Sequence, residues 1–342
     1  MHGGGERARG AGAEPEAGSM MPVPEIPVAR RRELIGHPDY RRVRRHLHER
    51  TWMRIAPGVF VRSADWRALT GIRRHRLRVE EVLARLEAPT VVSHFAAAAV
   101  WGIDLLGTWP DAVDVTIPRA SGGRSGGAIR RRALGLERVE RVPFGPHEVT
   151  TPAQTALDLA RILPFARGVS AIDQTLWTGR AGGALATRDD ILALLDAEPV
   201  RGDARARHAV AASASLAANA RETQMRLLVI ALGFPEPRLQ ERRLLPSGRL
   251  VFGDLYFPEA DHWLEIDGHG KYLSPEFAAG RTPAAIVIDE KNRENEIRRQ
   301  VRGFSRLEAT DADHPQRVYD VLTADGLRSS KPRPRAGDPV LR

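Results

Sequence analysis

The stretch "VFGDLYFPEADHWLEID", residues 251–267, constrains the fold of this chain more than any other. Apolar residues recur at every second position on either side of Pro-Glu-Ala-Asp, a pattern that predicts two antiparallel strands joined by a short turn. With Pro258 to Asp261 at the tip, Phe257 faces His262, and counting back places Asp254 opposite Glu265. One face then holds Val251, Leu255, Phe257, Leu264 and Ile266, a core face. The other holds Phe252, Asp254, Tyr256, Trp263, Glu265 and Asp267, so three carboxylates share a surface on which like charges opposed across a ladder repel.

Something must offset that repulsion. A divalent cation, Mg²⁺ or Mn²⁺, is the simplest candidate, because such an ion takes one or two carboxylates together with water and phosphate oxygens and can activate water against a phosphodiester. The competing reading is an exposed face whose acids pair with nearby arginines. A cation beside the attacking water is available from Lys271, which follows Gly268 and Gly270, or from Lys291 on the next helix. Glu222, in the first turn of the helix that opens this region, reads equally as a fourth acid of the site or as an i,i+4 partner of Arg226.

The rest of the chain is organised around shorter signals. Residues 1–27 read as a disordered leader, 28–66 as a degenerate winged-helix region, 67–215 as an α/β region, 216–326 as the domain holding the hairpin, and 327–342 as a disordered tail. In the second of these, Tyr40, Val43 and Leu47 fall at helical spacing after a turn at Gly36 to Pro38, and "WMRIAPGVFVR" predicts a hairpin about Pro57-Gly58. A basic helix followed by a hairpin is the skeleton of a DNA reader, with Arg41, Arg42, Arg44, Arg45 and Arg54 as candidate contacts. "VVSHFAAAAVWGIDLL" predicts a buried helix in which His94 is a core or capping residue, "AVDVTIP" a strand, and "RASGGRSGGAIRRR" a mobile basic loop. A formal net charge of +9 fits a polyanionic partner, although only three of the 52 basic residues are lysines (Lys271, Lys291 and Lys331). The chain has no cysteine, which excludes disulfides and thiolate zinc sites and fits a cytoplasmic setting. No apolar run approaches the roughly 20 residues of a membrane span.

These motifs resemble two known families. "ETQMRLLVIALGFPEPRLQ", "FGDLYFPEADHWLEIDGHGKY", "EKNRENEIRRQ" and "GFSRLEATDADHPQRV" are similar, in order, to actinobacterial relatives of the very-short-patch-repair endonucleases, within the PD-(D/E)XK superfamily. "RIAPGVFV", "VVSHFAAAAVWGI" and "EVTTPAQTALDLARIL" resemble the AbiEi-type antitoxin-like transcriptional regulators of type IV toxin–antitoxin systems, which have an N-terminal winged helix. The expected fold is therefore an α/β (α+β) multidomain chain: a degenerate winged helix, a mixed α/β region and a nuclease-like α/β domain. The resemblance implies Asp254 as the metal-binding aspartate, Glu265 as the second carboxylate and Glu222 as the acid on the opening helix. Asp267 stands where the superfamily has lysine, so Lys271 or Lys291 would have to stabilise the phosphate in its place. Two functions follow: Mg²⁺-dependent hydrolysis of DNA, or a non-enzymatic regulator whose nuclease fold is inactive, linked genetically to a nucleotidyltransferase-type toxin.

Overall fold

The computed structural model describes residues 20–34, 39–119, 125–197, 199–267, 283–338 and 340–341. The chain forms two compact units, Met1–Gly102 with Pro110–Thr151, and Ile103–Trp109 with Pro152–Arg342. Both mix helices and sheets, as the sequence leads one to expect.

The first unit opens with β1 (Val28–Arg30), α1 (Arg31–Leu34), α2 (Asp39–His48), β2 (Trp52–Ala56) and β3 (Val59–Arg62), followed by α3 (Ser63–Ala68) and α4 (Gly71–Leu83). β1, β3 and β2 make an antiparallel sheet in that order. The β2–β3 turn passes through Gly58 at φ 63°, a left-handed conformation that glycine adopts without strain. The sheet is fixed to α4 by charge: Arg30 donates to Glu81 at 2.6 and 2.9 Å, and Arg78 donates to the Ile55 carbonyl at 3.2 Å. A second sheet follows, from β4 (Val91–Val92), β5 (Val113–Thr116), β6 (Ile129–Arg132), β7 (Arg141–Phe144) and β8 (His147–Thr150), in the order β6-β5-β4-β8-β7. Between β4 and β5 lies α5 (His94–Trp101), buried at every position, with the Trp101 indole donating to the Thr150 carbonyl at 2.8 Å.

The second unit comprises α6 (Pro152–Ile162), α7 (Phe165–Leu176), α8 (Arg188–Ala197), α9 (Asp203–Ala211), α10 (Ala220–Ala231), β9 (Arg238–Leu244), β10 (Leu250–Phe257), β11 (His262–Asp267), α11 (Pro283–Arg298), β12 (Gly303–Glu308) and α12 (Pro315–Ala324). The strands form one sheet in the order β12-β11-β10-β9, antiparallel except for β11 beside β12. Phe257 pairs with His262, Tyr256 with Trp263 and Leu255 with Leu264, the register set by the Pro258 turn. One face packs Leu255, Phe257, Leu264 and Ile266 against Met225, Leu228 and Val229 of α10 and Val318 and Leu322 of α12. The other packs Tyr256, Trp263 and Phe304 with Ile297 of α11. Among the described residues, no helix is long and apolar enough to cross a membrane.

Several expectations need correction. Val251 joins Tyr256 and Trp263 rather than Leu255, because the β9–β10 ladder skips Asp254 where Gln240 takes φ 51°, and the in–out alternation changes phase there. The acid-bearing face is thereby a second core face rather than an open one. Val91 and Val92 form a strand, and the helix starts only at His94. Ile129 to Arg132, expected in a mobile loop, pair in parallel with β5; residues 120–124 lie outside the described set. Of the presumed leader, Met21 donates its N–H to the Val100 carbonyl and accepts from Arg76. Of the presumed tail, Leu327 is buried, Ser330 donates to the Gly233 carbonyl and Arg333 binds Asp320 at 2.6 and 2.7 Å. Residue 215 falls inside the second unit, where Ala220 and Leu227 of α10 share a core with α6, α7, α8 and α9.

Gly253 records how closely the phase change is packed. A Cβ there would lie 2.6 Å from the ring of the fully buried Trp263. Gly253→Ala is expected to destabilise the second unit by about 1–3 kcal/mol, since neither backbone nor indole has room to shift; thermal unfolding followed by tryptophan fluorescence measures it.

Candidate functional site

The parallel pairing of β11 with β12 sets Glu265 beside Arg306 and Asp267 beside Glu308. On the helix that covers this face, Glu290, Arg293, Glu294 and Ile297 follow an i, i+3, i+4, i+7 spacing and so form one stripe. Ile297 enters the core with Trp263, which turns the other three toward the strand ends.

Two guanidinium groups thread the carboxylates there. Arg306 binds Asp267 at 2.5 and 3.0 Å, Glu294 at 2.6 Å and Glu290 at 3.4 Å. Arg293 binds Glu265 at 2.8 Å and Glu290 at 2.7 and 3.0 Å. Glu265 is 6% exposed, and its second oxygen lies 3.4 Å from the Trp263 indole nitrogen. The Arg293 hydrogen bond is the main cause that holds the Glu290 carboxyl below its usual range, burial opposing it. Asp254 is half-buried and accepts the Ile266 backbone N–H at 2.8 Å, so its side chain bridges β10 and β11 one step beyond the last paired residues.

The remaining candidates are dispersed. Glu222 is buried and accepts from the Ala218 N–H at 2.8 Å and the Asn219 side chain at 2.6 Å, closing the start of α10 on the opposite face of the sheet from Trp263 and Arg293. Arg226 instead binds the fully buried Asp173 of α7 at 3.0 Å. Lys291 is exposed, one position off the stripe that faces the sheet. Lys271 lies outside the described residues. Among the described residues, no group of three His, Cys, Asp or Glu is arranged to hold a metal ion. Of the carboxylate oxygens proposed for a divalent cation, Glu265 Oε2 and both oxygens of Asp267 are engaged by arginine, and Asp254 Oδ2 by the Ile266 N–H.

Sequence reasoning missed Arg293 and Arg306. The first had a signal in its i,i+3 relation to Glu290. The second had none, because only the β11–β12 register brings it to Glu265.

In the first unit, α2 and the β2–β3 hairpin present the other candidate surface. Val43 is buried, which orients the helix, and His46 stacks on Trp52 at 6.3 Å while its Nδ1 lies 3.0 Å from the Thr51 hydroxyl, joining helix to hairpin. Arg45 on α2, Arg50 after it, and Arg54 and Arg62 on the hairpin are all exposed and have no ion pair among the described residues. The side chains of Arg41, Arg42 and Arg44, on the same helix, lie outside the described set. A tethered helix and hairpin with unneutralised guanidinium groups can contact phosphate oxygens without first breaking internal pairs.

Beyond this helix and hairpin, the chain runs from β4 through the second sheet to α9. Residues 91–211 match the AbiEi antitoxin C-terminal domain. The AbiEi-type segment thus starts at the first residue of β4 and ends at the last of α9. No curated protein matches the chain.

Arg306 gives a direct test of the charge network. Arg306→Met is expected to destabilise the protein by about 1–3 kcal/mol at neutral pH, the lower part of that range reflecting solvent screening at Asp267. Glu290, whose carboxyl is held low by arginine, contributes stability that is present above the ordinary carboxylate range and lost as pH falls through the depressed value. The penalty of the substitution should therefore shrink toward acid pH, as read from denaturant midpoints between neutrality and about pH 3.

Proposed function

We propose that the protein is a DNA-binding regulator of the antitoxin type, in which α2 and the β2–β3 hairpin meet DNA. The match of residues 91–211 to an antitoxin domain family is the observation that carries this reading. Three further features support it. The sheet order β1-β3-β2, with α2 leading into the hairpin, resembles a winged helix reduced by one helix. Arginines without an ion pair among the described residues line that helix and hairpin. The net charge of +9 favours association with a polyanion through counterion release. A genetic partner of the nucleotidyltransferase toxin type, and the operator upstream of the protein's own gene, are the natural targets of such a regulator.

The test is binding of the purified chain to a fragment from upstream of its own gene, by anisotropy at several salt concentrations. Arg45→Glu with Arg54→Glu is expected to weaken binding at least about tenfold and to flatten the dependence of log K on log salt by about 0.9 for each phosphate no longer neutralised. Unchanged affinity in the double variant sinks the assignment of the surface.

Hydrolysis of DNA is a second reading, favoured by one observation: the Leu255–Leu264 pair places Asp254 and Glu265 next in line across β10 and β11. Against it, Arg293 already pairs with Glu265 and Arg306 with Asp267. Supercoiled DNA incubated with the protein and Mg²⁺ or Mn²⁺ should remain uncut, and Asp254→Asn should leave DNA binding unchanged. Metal-dependent cleavage that Asp254→Asn abolishes would reverse the order of the two readings.

A further inference from the structure

The far end of the β9–β10 hairpin presents four exposed side chains in cross-strand pairs, Arg242 opposite Phe252 and Leu244 opposite Leu250. Phe252 is 52% exposed, Leu244 66% and Leu250 39%, and none of the three joins either core cluster of the sheet. β9 is the edge strand. Arg242 and, further along the same strand, Arg238 are exposed without an ion pair among the described residues. An aromatic ring and two leucines held open to water on a twisted hairpin cost free energy that a partner would recover.

We infer that this face is a platform for single-stranded DNA, with Phe252 stacking on a base and Arg242 holding a phosphate beside it. Directly opposed residues on an antiparallel pair stand about 5 Å apart at Cβ. That separation suits a ring and a guanidinium serving one nucleotide. Every base has a π-face, so the platform is tolerant of sequence, and Arg242 supplies the charge complementarity that a nucleic acid requires. A second copy of the chain fits less well, because two β9 edges paired antiparallel about Gln240 would set Arg238 of each copy opposite Arg242 of the other, like charges across a ladder. The inference rests on the DNA-directed reading only for the choice of DNA as the polymer; the surface lies wholly within the second unit, away in sequence from α2 and the β2–β3 hairpin.

The experiment uses the full chain and a fluorescein-labelled oligo(dT), followed by anisotropy across a salt series. Phe252→Ala should weaken binding at least about fivefold, and Phe252→Trp should retain it. Arg242→Gln should lower the slope of log K against log salt by about 0.7. Phe252→Ala should unfold in one cooperative transition like the parent, with a midpoint lowered by no more than a cross-strand contact is worth, which separates loss of stacking from loss of fold. The affinity ratio between parent and Phe252→Ala for oligo(dT) should persist when both also carry Arg45→Glu with Arg54→Glu, because the two surfaces are separate in sequence. Equal oligo(dT) affinity for parent and Phe252→Ala, or no binding by the parent, overturns the inference; so does a Phe252→Ala variant whose only change is in sedimentation, which would mark the face as an interface between copies. Failure of the duplex-binding test with oligo(dT) binding intact removes the regulator reading alone.

Discussion

Guanidinium groups placed among carboxylates are what allow the C-terminal sheet to close. β11 brings Glu265 and Asp267 to the end of the sheet, and α11 lowers Glu290 and Glu294 onto them. Arg293 and Arg306 offset the repulsion that these partly buried acids would otherwise exert on one another, and so favour the approach of α11 and β12. Arginine suits this role better than lysine because its planar fork satisfies several oxygens at once and stays charged when buried. Other elements inherit the arrangement: the position of α11 sets Ile297 against Trp263, and Trp263 in turn leaves no space beside Gly253.

The same chemistry recurs with different consequences across the chain. Arg30, partly exposed, reaches the buried Glu81 to join a strand to a helix, Arg132 neutralises the fully buried Asp114, and Arg226 meets Asp173 in the interior. Burial pushes the Asp173 and Asp114 carboxyls up, and their arginines oppose that shift. The exposed arginines of α2, of the β2–β3 hairpin and of β9 differ in having no such partner among the described residues. Composition alone treats these populations as one; structure separates arginines committed to internal pairs from those with no ion pair among the described residues.

Much of the fold was legible in the sequence because its signals are local. Alternation in "VFGDLYF" and "HWLEID", with a turn at Pro258, fixed both strands and their pairing. The helical spacing of Tyr40, Val43 and Leu47 located α2, and the buried helix read in "VVSHFAAAAVWGIDLL" is α5. The candidate site was legible only in part. Three acids on neighbouring strands were read correctly as a charge problem, but its solution is non-local: Arg306 follows Asp267 by 39 residues and reaches it through a parallel register. The phase change at Asp254 was equally hidden, since a positive φ at Gln240 leaves no mark in a pattern of apolar and polar residues. Ser330 and Arg333 lie in a segment whose composition suggests disorder, yet fixed hydrogen bonds to Gly233 and Asp320 hold them.

The Asp173–Arg226 pair bears on where this chain can be divided. Asp173 lies within the segment that matches the antitoxin family and Arg226 beyond its end, and the carboxylate also accepts from the Ala214 N–H and the Thr223 hydroxyl, both outside the match. A fragment ending where the match ends would leave the Asp173 carboxylate buried without the Arg226 guanidinium, the Thr223 hydroxyl or the Ala214 N–H. A boundary drawn there cuts through a single buried charge cluster.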